Sequence, residues 1–162
     1  MPRTIVVFVT RDGHSRVLAA EIGKRLSAPV YEIGDLVKRK GIVGYMRSGA
    51  QAWRKMATPI EDPGVKLEGV KFVVLVQPIW ASAICPPIRT WLSIHRGELG
   101  GVRLALLASN FGSPPARLRA NYDAEFGEVF GPLAAFAVLA QRLGERERSK
   151  IISDFAAALE RA

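Results

Sequence analysis

The stretch Thr4-Ile5-Val6-Val7-Phe8-Val9-Thr10-Arg11-Asp12-Gly13-His14-Ser15 decides how this chain folds. Thr4 to Val9 is an apolar run without polar alternation, the pattern of a parallel strand covered on both faces. At Thr10 the run stops, and from Ser15 onward Val17, Leu18, Ile22 and Leu26 recur on one side of a helix. A strand therefore turns into a helix across Thr10 to Ser15. The first amides of such a helix have no intrahelical acceptor, and the positive end of its dipole faces the same way, so the turn stabilises a phosphate. Thr10 and Ser15 add hydroxyls. Gly13 permits a positive φ and leaves no Cβ in the path of a ligand. An ordinary strand-to-helix turn with Ser15 at its N-cap accounts equally well for these six residues taken alone.

The same alternation continues along the chain. Short apolar runs at Val30 to Ile33, Phe72 to Val76, Leu104 to Ala108 and Ala134 to Leu139 read as buried strands. Helical patterns fall at Ser15 to Leu26, Tyr45 to Met56, Pro87 to Ile94 and Glu145 to Leu159, the last with Ile151, Ile152, Phe155 and Leu159 on one face. Pro86-Pro87 suits a helix start, whose first turn has no use for those N–H groups. These elements predict an α/β chain, a doubly wound parallel sheet of five strands in one domain, residues 1–162. Ligands of such sheets sit at the carboxyl ends of the strands. The stretch from Gly34 to Gly69, with Gly41, Gly44, Gly49, Pro59, Pro63 and Gly64, reads as one helix within long loops.

A chain of 162 residues buries a sizeable core without disulfides or metal. Its hydrophobic share is 49%, yet no apolar run reaches the ~18 to 20 residues of a membrane span. Met1-Pro2-Arg3 leads straight into the first strand without the features of a signal peptide, so a cytoplasmic location is expected. The net charge of +8 favours an acidic partner, an anionic membrane surface or nucleic acid. Its basic groups, Lys38-Arg39-Lys40, Arg47 with Arg54-Lys55, Arg117 with Arg119, and Arg142 to Lys150, are scattered and lack interleaved aromatic residues, which weighs against nucleic acid.

A second loop follows the Phe72 to Val76 run: Gln77-Pro78-Ile79-Trp80-Ala81-Ser82-Ala83-Ile84-Cys85-Pro86-Pro87. It leaves the same sheet edge as the first, so Trp80 either stacks on a planar ring held there or folds back to cap the core. Together the two loops resemble those of the flavodoxin-like FMN proteins, and the likeness covers nearly the whole chain. Thr10 to Ser15 is similar to the Ser/Thr-x-Thr-Gly-x-Thr phosphate loop of flavodoxins. Gln77 to Ser82 with Pro86-Pro87 is similar to a Thr-Pro-x-Trp-x-Gly segment with Pro-Pro found in the wider family, and Gly44 to Gly49 resembles an insert common there. A Thr-Arg-Asp-Gly loop also occurs in the flavodoxin-like protoporphyrinogen oxidases.

The resemblance implies strand order 2-1-3-4-5 and bound FMN, with the phosphate on Thr10, Arg11, Gly13, His14 and Ser15 and the isoalloxazine lined by Pro78, Ile79, Trp80, Ala81 and Ser82. It further implies electron transfer through flavin, in an oxidoreductase or carrier, to a small acceptor such as a quinone or to a redox partner protein. Asp12, Gln77 and Ala81 depart from the commoner residues of that family. Asp12 puts a carboxylate beside the phosphate site and must turn away, toward Arg11 or Arg16. A flavodoxin-like module without flavin is the other reading these departures leave open.

Ser109-Asn110-Phe111-Gly112-Ser113 leaves the fourth strand at the same edge, where its amides and Asn110 either meet the flavin pyrimidine or form a plain loop. Cys85, the sole cysteine, is either a redox thiol beside a helix start or a small buried residue. Tyr45, Met46 and Trp53 suit a lid over the ring or the core of the insert. His95 is expected at the surface. Two histidines and one cysteine far apart do not give a metal-site spacing.

Overall fold

The structure, a computed structural model, describes residues 3–37, 41–110 and 114–162, with the side chains at positions 42, 45, 49, 52 and 53 outside the description. Five parallel strands form the main sheet: β1 (Thr4–Phe8), β2 (Val30–Glu32), β5 (Phe72–Pro78), β6 (Arg103–Asn110) and β7 (Phe136–Ala140). Their spatial order is β2-β1-β5-β6-β7, which counts as 2-1-3-4-5 within this sheet. Two further strands, β3 (Gly34–Asp35) and β4 (Ile60–Glu61), pair antiparallel through Gly34 with Glu61 and Asp35 with Ile60. This short ribbon, absent from the sequence expectation, closes the excursion between positions 36 and 59.

Because each strand is covered on both sides, successive residues go to opposite cores. Ile5, Val7, Val73, Leu75, Leu104 and Leu106 face one core, joined by Ile88, Trp91 and Leu92 of α3 (Pro86–Ile94) and by Leu118, Tyr122 and Phe126 of α4 (Pro115–Phe130). Val6, Phe8, Val74, Val76, Ala105 and Leu107 face the other, with Leu18 and Ile22 of α1 (His14–Leu26) and Ile152, Phe155 and Leu159 of α5 (Glu145–Glu160). Continuous apolar runs are what such two-sided burial requires. At Gly23 the helix lies so close to β2 that a Cβ would stand 2.3 Å from Val30 Cγ2 and 3.1 Å from the Ala28 carbonyl oxygen.

Three expectations need correction. The helix of the insert, α2, spans Gly41–Trp53 and so begins before Tyr45 and ends before Met56. The α4 helix lies outside the predicted elements because its apolar residues are spread around it, with Ala116, Ala120 and Ala124 exposed; only Leu118, Tyr122 and Phe126, four apart, mark a buried stripe. His95 is buried, not surface, at 7% exposure. It caps the end of α3, lies over Trp91 with ring centroids 4.7 Å apart, and places its nitrogens 2.9 Å from Glu98 Oε1 and 2.8 Å from Asp62 Oδ2. Apolar stacking and two carboxylates let the imidazole leave water.

Candidate functional site

Parallel register brings three loops to one edge. Phe8 aligns with Val76, and Val76 with Leu107, so the segments after β1, β5 and β6 leave adjacent strands side by side. The Val9 N–H donates to the Val76 carbonyl at 3.1 Å, and the Ile79 N–H to the Ser109 carbonyl at 2.9 Å, tying loop to loop.

In the first loop Gly13 takes φ 93°, and no atom of the described residues lies within 4 Å of the place a Cβ would occupy. The Gly13 N–H donates to Thr10 Oγ1 at 2.9 Å, which leaves the Thr10 hydroxyl proton available to another acceptor. The first α1 cap bond runs from the Val17 N–H to the Gly13 carbonyl at 3.2 Å, so the amides of Ser15 and Arg16 precede any intrahelical acceptor. Ser15 is fully buried and its hydroxyl has no partner among the described residues. Asp12 Oδ1 accepts from the His14 N–H at 3.3 Å, while its other oxygen stands 3.6 Å from the Arg11 guanidinium. Arg16 instead pairs with Glu32 at 2.6 Å, and that carboxylate raises its pKa, by hydrogen bonding first and by charge second.

The second loop begins at Pro78 and turns sharply at Ala81 and Ser82, with φ 49° and 55°. Both central residues are left-handed, and the Ala83 N–H closes the turn on the Trp80 carbonyl at 3.0 Å. Trp80 is 5% exposed and belongs to the core that holds Ile84 and Trp91, with Ile79 packed against it. Gln77 braces the loop from beneath. Its Nε2 donates to the Ala83 carbonyl at 3.2 Å and its Oε1 accepts from the Cys85 N–H at 2.9 Å. Cys85 is buried, its Sγ donating to the Pro78 carbonyl at 3.1 Å.

Of the third loop, Ser109 is buried with a hydroxyl that has no partner among the described residues, and Asn110 is half-buried. Phe111 and Gly112 lie outside the described residues. So do Lys38 to Lys40 and the side chains of Tyr45 and Trp53, whereas Met46 is 68% exposed on α2. Sequence reasoning missed Asn121, whose Nδ2 donates to the Ser82 carbonyl at 2.6 Å and so holds α4 against the second loop. Beside that contact opens a cleft of about 420 Å³, lined by Lys55, Ala81 to Ala83, Arg117, Asn121 and Glu125. No described helix is long and apolar enough to cross a membrane.

Neither a protein-family model nor a curated protein matches the sequence. Solved structures do resemble it. A candidate flavoprotein from Bacteroides uniformis ATCC 8492 superposes with a TM-score of 0.75 at 14% identity, over 93% of this chain and 97% of that one. A flavoprotein from Lactobacillus acidophilus NCFM, solved in complex with FMN, gives 0.64 at 14% identity over 93% and 99%. Oxidised flavodoxin 1 from Bacillus cereus gives 0.53 at 12% identity over 98% and 97%. The strand order, the helices on both faces and these likenesses together give the chain a flavodoxin-like fold.

Proposed function

We propose that the chain binds FMN at this edge and passes electrons between the flavin and a small acceptor or a redox partner protein. The observation that carries the reading is the Thr10 to Ser15 turn. Gly13 leaves open space above the backbone, the Ser15 and Arg16 amides point ahead of the helix, and the buried Ser15 hydroxyl has no described partner. Donors and an oriented helix start in that arrangement fit a phosphate. The FMN held by the Lactobacillus acidophilus protein supports the same reading.

Bound there, FMN supplies the capacity to accept and return electrons. The chain supplies position. Thr10, Arg11, Gly13, His14 and Ser15 hold the phosphate, the surface of the Pro78 to Ser82 loop lines the ring with Trp80 packed in the core beneath it, and Ser109 with Asn110 offers polar groups to its edge. The net charge of +8 suits an acidic protein partner or an anionic acceptor, since it biases association toward negative surfaces. A reducing, cytoplasmic setting goes with a protein whose one thiol is Cys85.

The test is a pair of titrations. Charge-assisted hydrogen bonds contribute ~1.5 to 3 kcal/mol each, so FMN is expected to bind at least tenfold more tightly than riboflavin. Equal dissociation constants by flavin fluorescence remove the phosphate loop from the reading. One observation favours a flavin-free module instead: Asp12 Oδ1 already accepts from the His14 N–H, an amide the phosphate needs. Protein that is colourless as purified and fails to take up added FMN decides for that module.

A further inference from the structure

Beside the second loop, the cleft between the Ala81 to Ala83 turn, the end of α2 and the face of α4 has walls of opposite origin and like charge. Lys55 enters from one side and Arg117 from the other. Neither side chain makes an ion pair or hydrogen bond with a described residue. Glu125, the one acid in the lining, is already taken: both its oxygens accept from the buried Arg89, Nη2 to Oε2 at 3.0 Å and Nε to Oε1. Arg89 Nη1 also donates to the Met56 carbonyl at 3.1 Å, so one guanidinium fixes the Lys55 wall and the Arg117 wall together. With Glu125 neutralised, the cleft presents two cations that have no partner among the described residues.

Lys55 sits there against its own backbone preference. Its φ is 52°, and the Met56 N–H reaches back to the Gln51 carbonyl at 3.0 Å, the helix ending in which glycine ordinarily takes the left-handed position. A lysine in that conformation is less stable than a glycine, whose missing Cβ removes the clash. Such a residue, directed into a cation-lined cleft, marks the side chain as worth more than the backbone it strains.

We infer that this cleft is a binding site for a small organic anion, with Lys55 and Arg117 as its two anchors and the Ala81 to Ala83 turn as its floor. A planar sulfonate, carboxylate or phosphate ester of aromatic size suits about 420 Å³ with this polarity. Its use as an electron acceptor rests on the flavin reading above; the binding site itself does not.

The experiment is isothermal titration of the protein as purified with anthraquinone-2-sulfonate at low and high salt. Saturable binding that weakens with salt is expected. Lys55→Gly is expected to bind about fivefold more weakly, the effect of one exposed charge at contact distance, while melting no lower than the parent because glycine relieves the turn. Arg117→Ala, on an exposed helix position, is expected to lose a similar factor. Arg25→Ala, at the far end of α1, is the control and is expected to bind as the parent does. No saturation at millimolar sulfonate, parent-like affinity in both cleft variants, or an equal loss in Arg25→Ala overturns the inference. FMN is titrated separately: failure there with sulfonate binding intact removes the flavin reading and keeps the cleft.

Discussion

Gln77 has both ends of its amide committed inside the core, to the Ala83 carbonyl and the Cys85 N–H. Leucine fills a similar volume but leaves those two backbone groups buried and unpaired, each at a cost of ~1 to 3 kcal/mol. Gln77→Leu is therefore expected to destabilise the protein by about 3 kcal/mol, read from a shifted urea midpoint at constant slope. At Asp12 the opposite holds, since its carboxylate is partly exposed and shared between Arg11 and the His14 N–H. Asp12→Asn keeps an oxygen for that amide, so FMN affinity is expected to change less than tenfold, or ~1.4 kcal/mol; a much larger tightening would place the charge against the phosphate. The sequence marks Asp12 because a loop residue meets its partners locally. Gln77 is legible only as a departure from a family pattern, because its partners come back to it around a turn that Ala81 and Ser82 shape through left-handed backbone.

Among the elements, α1 approaches its neighbouring strand closely at one point, Gly23. The space at Gly23 is closed by the Val30 side chain, and an added methyl there must push strand and helix apart. Gly23→Ala is expected to lose ~1 to 3 kcal/mol despite alanine's better helix propensity, measured by thermal melting. Helices such as α1 and α5 announce themselves through buried residues at regular spacing. The α4 helix does not: its exposed sides carry Arg117, Asp123 and Glu128, and only a narrow line from Leu118 to Phe126 is buried. His95 follows the same logic from the other direction. Its burial depends on Asp62, a loop residue 33 positions away, which no local pattern connects to it.

At the scale of the whole molecule the sheet is the most legible part, because two-sided burial writes each strand as an unbroken apolar run and parallel strands require the alternation with helices. The cleft is the least legible, being assembled from α2, the second loop and α4. Tyr122 links the sheet core to the end of α4, donating to the Gly131 carbonyl at 3.2 Å, and burial first, with Asp123 second, pushes its pKa up to about 12 from 10.0. The folded state thus holds this proton where the unfolded chain releases it. The stabilisation is complete below pH 10 and is lost as pH rises through about 12, so Tyr122→Phe is expected to flatten the alkaline decline in stability over that window relative to the parent. Urea midpoints at pH 9 and pH 11.5 measure the difference.

The same core encloses the chain's sole thiol, and this turns Cys85 into a clock. A maleimide or disulfide reagent reaches Sγ only when the segment after β5 comes away from the sheet, so in native buffer the labelling rate reports the population of that opened form. A typical domain stability slows such labelling by three or more orders of magnitude relative to a free peptide thiol. Saturating FMN should slow it again in proportion to ligand excess over Kd, which times cofactor loading and unfolding with one reagent and no denaturant.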